Sequence, residues 1–181
     1  MSKSLAKITC YNAILTGSLL SILFLSSSGL LAQSELAKRN GFKDIKLGSL
    51  VDSVKGVAFV KDFVHAKEFP CQIYKVTYKD YEKIGNVEVK RVELKTYKNY
   101  IYEINVITAK DPQVMIALEK SYGKAKYSLR DEHFFWLAAD TLRLSIKGDA
   151  KKIDLTYRSF PVRRSMYSDK KKKLEEMADD F

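Results

Sequence analysis

The chain has 181 residues, a formal net charge of +10, two cysteines and two histidines. That length fits one domain with a sizeable core. So few cysteines exclude a disulfide-stapled scaffold, and so few histidines argue against a His-rich metal centre.

The first segment has the pattern of a secretory signal peptide. Lys3 and Lys7 give a positive start, and residues 14–31 carry no charge. Cleavage is expected after Ala32, which makes residues 1–32 the signal peptide. The competing reading is a membrane anchor, which needs about 20 predominantly apolar residues. The strongly apolar part, Leu19 to Leu25, is shorter and is followed by Ser26-Ser27-Ser28-Gly29. The mature form is therefore expected to be exported, periplasmic or secreted, with no stable transmembrane anchor. Cys10 precedes the apolar stretch, so no lipidation is expected. Loss of Lys3 and Lys7 takes the charge from +10 to +8. An exported basic protein rarely meets nucleic acid, so none is expected as a partner. An envelope protein, an anionic polysaccharide or acidic lipid headgroups suit the charge; solubility alone also explains it.

Leu36 to Asn40 reads as a helical turn stopped by Gly41. Phe42 to Leu47 alternates as a short strand, and Ser49 or Asp52 can cap a brief helix ending at Gly56. Residues 57–69 are ambiguous. Gln72 to Tyr78 reads as a strand, and Gly85-Asn86 marks a turn. Val87 to Tyr97 is a strand whose apolar parity flips between Val89 and Val92, which predicts a β-bulge near Lys90-Arg91. After a turn at Lys98-Asn99, Tyr100, Tyr102, Ile104 and Val106 are expected to line one face of a third strand.

Asp111 followed by Pro112 opens a helix. Val114, Met115, Leu118 and Tyr122 form its apolar stripe, Ile116 faces away, and Gly123 stops it. A meander follows, with strands at Tyr127–Leu129, Phe134–Ala138, Thr141–Lys147 and Lys152–Arg158. Alternation in the last two predicts half-buried antiparallel strands with one wet face. Trp136, Leu144, Leu155, Leu118 and Tyr102 are the expected core anchors. The tail, Ser168 to Phe181, can form a helix with Leu174, Met177, Ala178 and Phe181 on one side. Lys170 to Lys173 and then Glu175, Glu176, Asp179 and Asp180 oppose its dipole, so it should fray unless that side docks.

The expected fold is α+β: a single antiparallel sheet of about six strands with one main helix and short flanking helices. Residues 33–164 form the domain and residues 165–181 a charged helical tail.

Two stretches carry a resemblance. Phe42-Lys43-Asp44-Ile45-Lys46-Leu47-Gly48 with Val54 resembles the opening of small exported bacterial proteins, where a strand ends in Leu-Gly before a short helix. Leu118-Glu119-Lys120-Ser121-Tyr122-Gly123-Lys124, with Phe135-Trp136, Leu142-Arg143-Leu144 and Leu155-Thr156-Tyr157, resembles the helix–Tyr-Gly–strand–Trp–strand pattern of uncharacterised secreted α+β proteins. The Leu-Gly opening is also similar to the small envelope lipoproteins that assist outer-membrane assembly and to the β-lactamase-inhibitor-protein fold. This chain lacks their lipidation cysteine. The resemblance implies a small α+β envelope domain and carries over no functional residue.

No motif assigns a catalytic, cofactor-binding or metal-ligating residue, and no cofactor is expected. The nucleophile elbow, the zinc-protease helix, the phosphate loop and the dinucleotide fingerprint are all missing. Asp131-Glu132-His133 reads as a turn rather than a metal edge. Cys71, after Pro70, reads as a small buried hydrophobe; a thiolate would need a base, and nothing in the sequence places His65 or His133 beside it. Tyrosines and lysines interleave from Tyr74 to Lys83 and from Tyr97 to Tyr127. Strand alternation explains that pattern, although aromatics beside cations can also bind sugars. Lys170 to Lys173 read as a solvated run that could also meet acidic lipid.

Two functional classes remain. The favoured one is a non-enzymatic exported module that binds through a sheet face. The alternative is a small hydrolase or transferase using carboxylates or Cys71. A pocket gathering Glu103, Asp154 or Cys71 with His133 would favour the second class, and a flat sheet face the first.

Overall fold

The computed structural model describes residues 35–179. The expected signal peptide and its cleavage point lie outside the described residues. So do Asp180 and Phe181.

In chain order, residues 35–39 form a short helix, α1. Strands β1 (Gly41–Phe42) and β2 (Ile45–Lys46) follow, then β3 (Val57–His65), β4 (Phe69–Val76), β5 (Lys83–Ile84), β6 (Val87–Tyr97) and β7 (Tyr100–Ala109). Helix α2 (Pro112–Tyr122) separates these from β8 (Lys126–Ser128), β9 (His133–Ala138), β10 (Leu142–Gly148) and β11 (Lys152–Ser159). Helix α3 (Phe160–Asp179) ends the described chain.

The class is α+β, built on one antiparallel sheet in the order β3-β4-β6-β7-β11-β10-β9-β8, with β5 paired to β6. Among the described residues the sheet has nine strands, not six. Strands β3 and β5 are additional to the expected set. β3 is an edge strand, with Phe59, Val60 and Val64 exposed and a register shift between Phe59 and Lys61. A bulged edge exposed on both faces has no clean alternation to read. The expected strand at Phe42 to Leu47 is instead the β1–β2 hairpin. Gly41 sits there at φ +149°, and a Cβ on it would collide with the Ile45 carbonyl oxygen. The expected capped helix is a 3₁₀ turn at Val51–Ser53 with Leu50 at its N-cap and no side-chain cap. Ser49 and Ser53 donate back to the Lys46 and Leu50 carbonyls instead.

One face of the sheet carries the main core. Leu94, Ile104, Val106, Leu142, Leu144, Ile146, Leu155 and Tyr157 project there, and Val114 and Tyr122 of α2 close it with Leu36, Phe42, Ile45 and Val51. Trp136 is buried among them and donates from Nε1 to the Gly123 carbonyl at 2.7 Å. That carbonyl is one of those a helix end leaves unpaired. Leu118 is only half-buried at the edge of this core. Asp111 caps α2 by accepting from the Gln113 N–H at 2.8 Å, and Ile116 is exposed.

Bulges decide which face each side chain takes. The register shift between Val89 and Arg91 lies at the expected position. A second shift, between Lys95 and Thr96, leaves no break in the apolar pattern of the sequence. Lys95 pairs with Glu103 but Thr96 pairs with Ile101, so Tyr102 is the extra residue. Ile101 therefore joins the main core with Ile104, while Tyr102 turns to the opposite face. Tyr100 is exposed. On that opposite face Tyr102 packs with Phe69, Cys71, Tyr97 and Met166 in a second, smaller core under α3.

Helix α3 begins eight residues earlier than expected. Ser159 accepts from the Val162 N–H at 3.3 Å, and Pro161 lies in the first turn. Met166 and Val162 are the docking residues. Leu174 and Met177, on the side that would have to dock to keep the tail from fraying, are exposed. No helix among the described residues is long and apolar enough to cross a membrane.

Candidate functional site

The sheet face opposite the main core is covered by α3 only at one end. Elsewhere it is an open trough of about 400 Å³. Antiparallel register converts the sequence into three rows across it. The middle row runs Glu93 (β6), Asn105 (β7), Thr156 (β11), Ser145 (β10) and Phe135 (β9). The row nearer α3 runs Lys95, Glu103, Arg158 and Arg143 on β6, β7, β11 and β10. The far row runs Arg91, Ile107, Asp154 and Lys147 on the same strands. Same-face neighbours on a strand are about 6.8 Å apart, so the two flanking rows are separated by about 13–14 Å.

The trough lining carries five cations, Arg91, Lys95, Lys147, Lys152 and Arg158, against the carboxylates Glu93 and Asp154. Glu103 lies beneath, nearly buried. Lys95 Nζ donates to its Oε1 at 2.7 Å, and Arg158 Nε donates to its Oε2 at 2.8 Å. Burial alone would push the Glu103 carboxyl up, but Arg158 and Lys95 outweigh it and hold the group below the usual glutamate range. Asp154 accepts from Lys152 at 3.2 Å. The middle row is neutral apart from Glu93, and Asn105 Nδ2 donates to Thr156 Oγ1 at 3.2 Å.

Arg143 and Arg158 are directly opposed cross-strand partners. Like charges so placed are destabilising, and the fold neutralises only Arg158. The Arg143 guanidinium lies 4.2 Å from the centre of the Phe135 ring and contacts His133 Nε2 at 2.8 Å. A guanidinium can only donate, so His133 Nε2 is the accepting side of this contact. Asp131, Glu132 and His133 form the turn into β9, with Ser128 donating to Asp131 at 3.2 Å. Among the described residues no three His, Cys, Asp or Glu side chains lie together as a metal site.

Asp154 and His133 line the trough together and Glu103 underlies it, whereas Cys71 does not join them. The converging carboxylates face cations. The trough therefore offers charge and hydrogen-bond donors, and of its carboxylates Asp154 keeps one buried oxygen, Oδ1, without a hydrogen-bond partner among the described residues.

Cys71 lies in the second core, against Tyr102 and the His65 backbone. The Tyr102 hydroxyl is 3.5 Å from His65 Nδ1. His65, not His133, is therefore the histidine near the thiol. Its pKa is lowered by burial and by the positive charge of Arg163. Burial pushes the Cys71 thiol up, away from reactivity. No sequence signal pairs these residues, because the contact depends on the Tyr102 bulge.

The interleaved tyrosines split by element. Tyr81 and Tyr97 are buried, while Tyr78, Tyr100 and Tyr127 are exposed. Comparison with protein-family models, with curated proteins and with solved structures gives no match for this chain.

Proposed function

We propose that the chain is an exported, non-enzymatic envelope module that binds an anionic polysaccharide along the trough. The observation that carries this reading is the three-row pattern, with neutral amide and hydroxyl groups between two rows rich in cations. A sugar chain laid across the strands would meet Asn105, Thr156 and Ser145 with its hydroxyls. Its acidic substituents would reach Arg143 and Arg158 on one side and Arg91 and Lys147 on the other. Arg143, which no described carboxylate neutralises beside the Glu103-paired Arg158, favours an anion there. The trough is open and shallow, which suits a polymer better than a small substrate. Lipid headgroups fit less well, because the apolar side chains of these rows, Ile73, Ile107, Phe135 and Leu137, are buried or half-buried and do not project to enter a bilayer.

The test uses polygalacturonate as probe and neutral dextran of equal size as control. Polygalacturonate should bind, weakening as salt rises, and dextran should not. The double substitution Arg143→Gln with Lys147→Gln should weaken binding about tenfold, about 1.4 kcal/mol, with the fold intact by circular dichroism. Equal binding of dextran, or an unaffected double variant, removes the reading. Preference for vesicles of acidic lipid over polygalacturonate would transfer the face to a membrane ligand. Export is tested separately: intact mass of protein from outside the cytoplasm should correspond to a chain beginning at Gln33.

A further inference from the structure

A second concavity lies on the other side of the sheet and shares nothing with the trough. It is a cleft of about 420 Å³ between α2 and the segment formed by α1 and the β1–β2 hairpin, floored by β11. That volume lies within the range of small-molecule sites. Phe42, Ile84, Val114, Leu118 and Leu155 make its walls apolar.

Three polar groups converge on it. Arg39 stands exposed at the mouth, its guanidinium 5.7 Å from the centre of the Tyr122 ring. Tyr122 is buried beside it, and Tyr157 is buried on the floor. Among the described residues the Tyr157 hydroxyl has no hydrogen-bond partner, and the residue lines the cleft. Lys43 also lines the cleft, but its ammonium is tied to the Asp80 carbonyl and, at 2.6 Å, to the Lys83 carbonyl. Arg39 is therefore the cation available to a ligand. Burial, with the neighbouring Tyr122, keeps the Tyr157 hydroxyl protonated and able to donate.

We propose that this cleft binds a small amphipathic carboxylate of the fatty-acid type, its chain between Leu118, Val114 and Phe42 and its head on Arg39 and the Tyr157 hydroxyl. Apolar walls account for the chain. A guanidinium and a phenol O–H account for the head, since a carboxylate accepts from both and an alcohol gains less from a cation.

The experiment is calorimetric titration of the full chain with decanoate and, separately, decanol, below their micelle or solubility limits. Decanoate should bind saturably with one site, and decanol at least tenfold more weakly. Arg39→Gln should weaken decanoate about tenfold, and Tyr157→Phe should weaken it severalfold. Ala117 is an exposed α2 residue lining the cleft, so Ala117→Trp should block the mouth without disturbing the core. Polygalacturonate binding should not change in any of these variants, which separates this site from the trough and confirms that each variant is folded. Non-saturable uptake, equal affinity for decanol, or full binding by folded Ala117→Trp would overturn the proposal.

Discussion

Glu103 and Arg158 face each other across the β7–β11 ladder, and both Nε and Nη2 of the arginine lie 2.8 Å from the same carboxylate oxygen. The pair is asymmetric: the Glu103 side chain is 6% exposed and that of Arg158 is 38% exposed. Removing the arginine strands a buried carboxylate with Lys95 as its one remaining cation. Removing the acid leaves two cations that can hydrate. Breaking a fully buried pair costs about 3–5 kcal/mol. Solvent at Arg158 lowers that, so Arg158→Leu should cost about 2 kcal/mol and Glu103→Gln about 1 kcal/mol. Because the folded Glu103 pKa is depressed, its contribution is complete above the ordinary glutamate value of about 4.3 and fades as pH falls through the lower folded value. Urea midpoints measured between pH 3 and pH 7 should therefore show a shallower acid loss in Glu103→Gln than in the parent. Parallel curves would mean the ion pair does not govern acid stability.

Leu144 tests the main core. It is fully buried and lies opposite Trp136 on β9 and Tyr157 on β11. Leu144→Ala should lower stability by about 2–5 kcal/mol, because the packed sheet cannot collapse around the lost volume. Chemical denaturation measures this directly, and an unmoved midpoint would place the wrong face inside.

The thiol of Cys71 is expected to react slowly. It is buried, its pKa is raised, and Tyr102 stands between it and the His65 ring. A thiol reagent at neutral pH should label the native protein far more slowly than the urea-unfolded chain. Cys71→Ala should cost about 1 kcal/mol of packing and leave polygalacturonate binding unchanged. Fast native labelling would revive the enzymatic alternative, with His65 as the candidate base.

The Lys90-Arg91 bulge was legible because Val89 and Val92 break parity while remaining apolar. The Tyr102 bulge was not, because Ile101, Tyr102 and Ile104 are all apolar and either phase reads as a buried face. That ambiguity hid the second core and, with it, the neighbourhood of Cys71. The meander β9–β11 could be read from alternation, and the class α+β followed from it. The trough could not be read, because its rows join residues about 10–65 positions apart and exist only once register is set. Arg143 and Lys147 looked like ordinary wet-face residues until β11 and β9 were placed beside them.

Helix α3 divides into a docked and an undocked half. In the first half, Met166 is buried in the second core, and Asp169 accepts from the Tyr97 hydroxyl at 3.0 Å and from Lys98 at 2.6 Å. Lys170 reaches Glu68 at 2.9 Å. Beyond Lys170 every described residue is exposed, and the i,i+4 pair Lys171–Glu175 has the less favourable order. Lysines early and acids late also oppose the helix dipole. The second half thus draws its stability from continuity with the first. Truncation after Lys171 should leave the urea midpoint within about 0.5 kcal/mol of the full chain. Met166→Ala, by contrast, should cost about 2–4 kcal/mol through the cavity left against Phe69 and Tyr102. Limited proteolysis should cut first among Lys171, Lys172 and Lys173, with the remaining domain resistant. If truncation destabilises the protein as much as Met166→Ala does, the distal half must be docked in solution and the division of α3 fails.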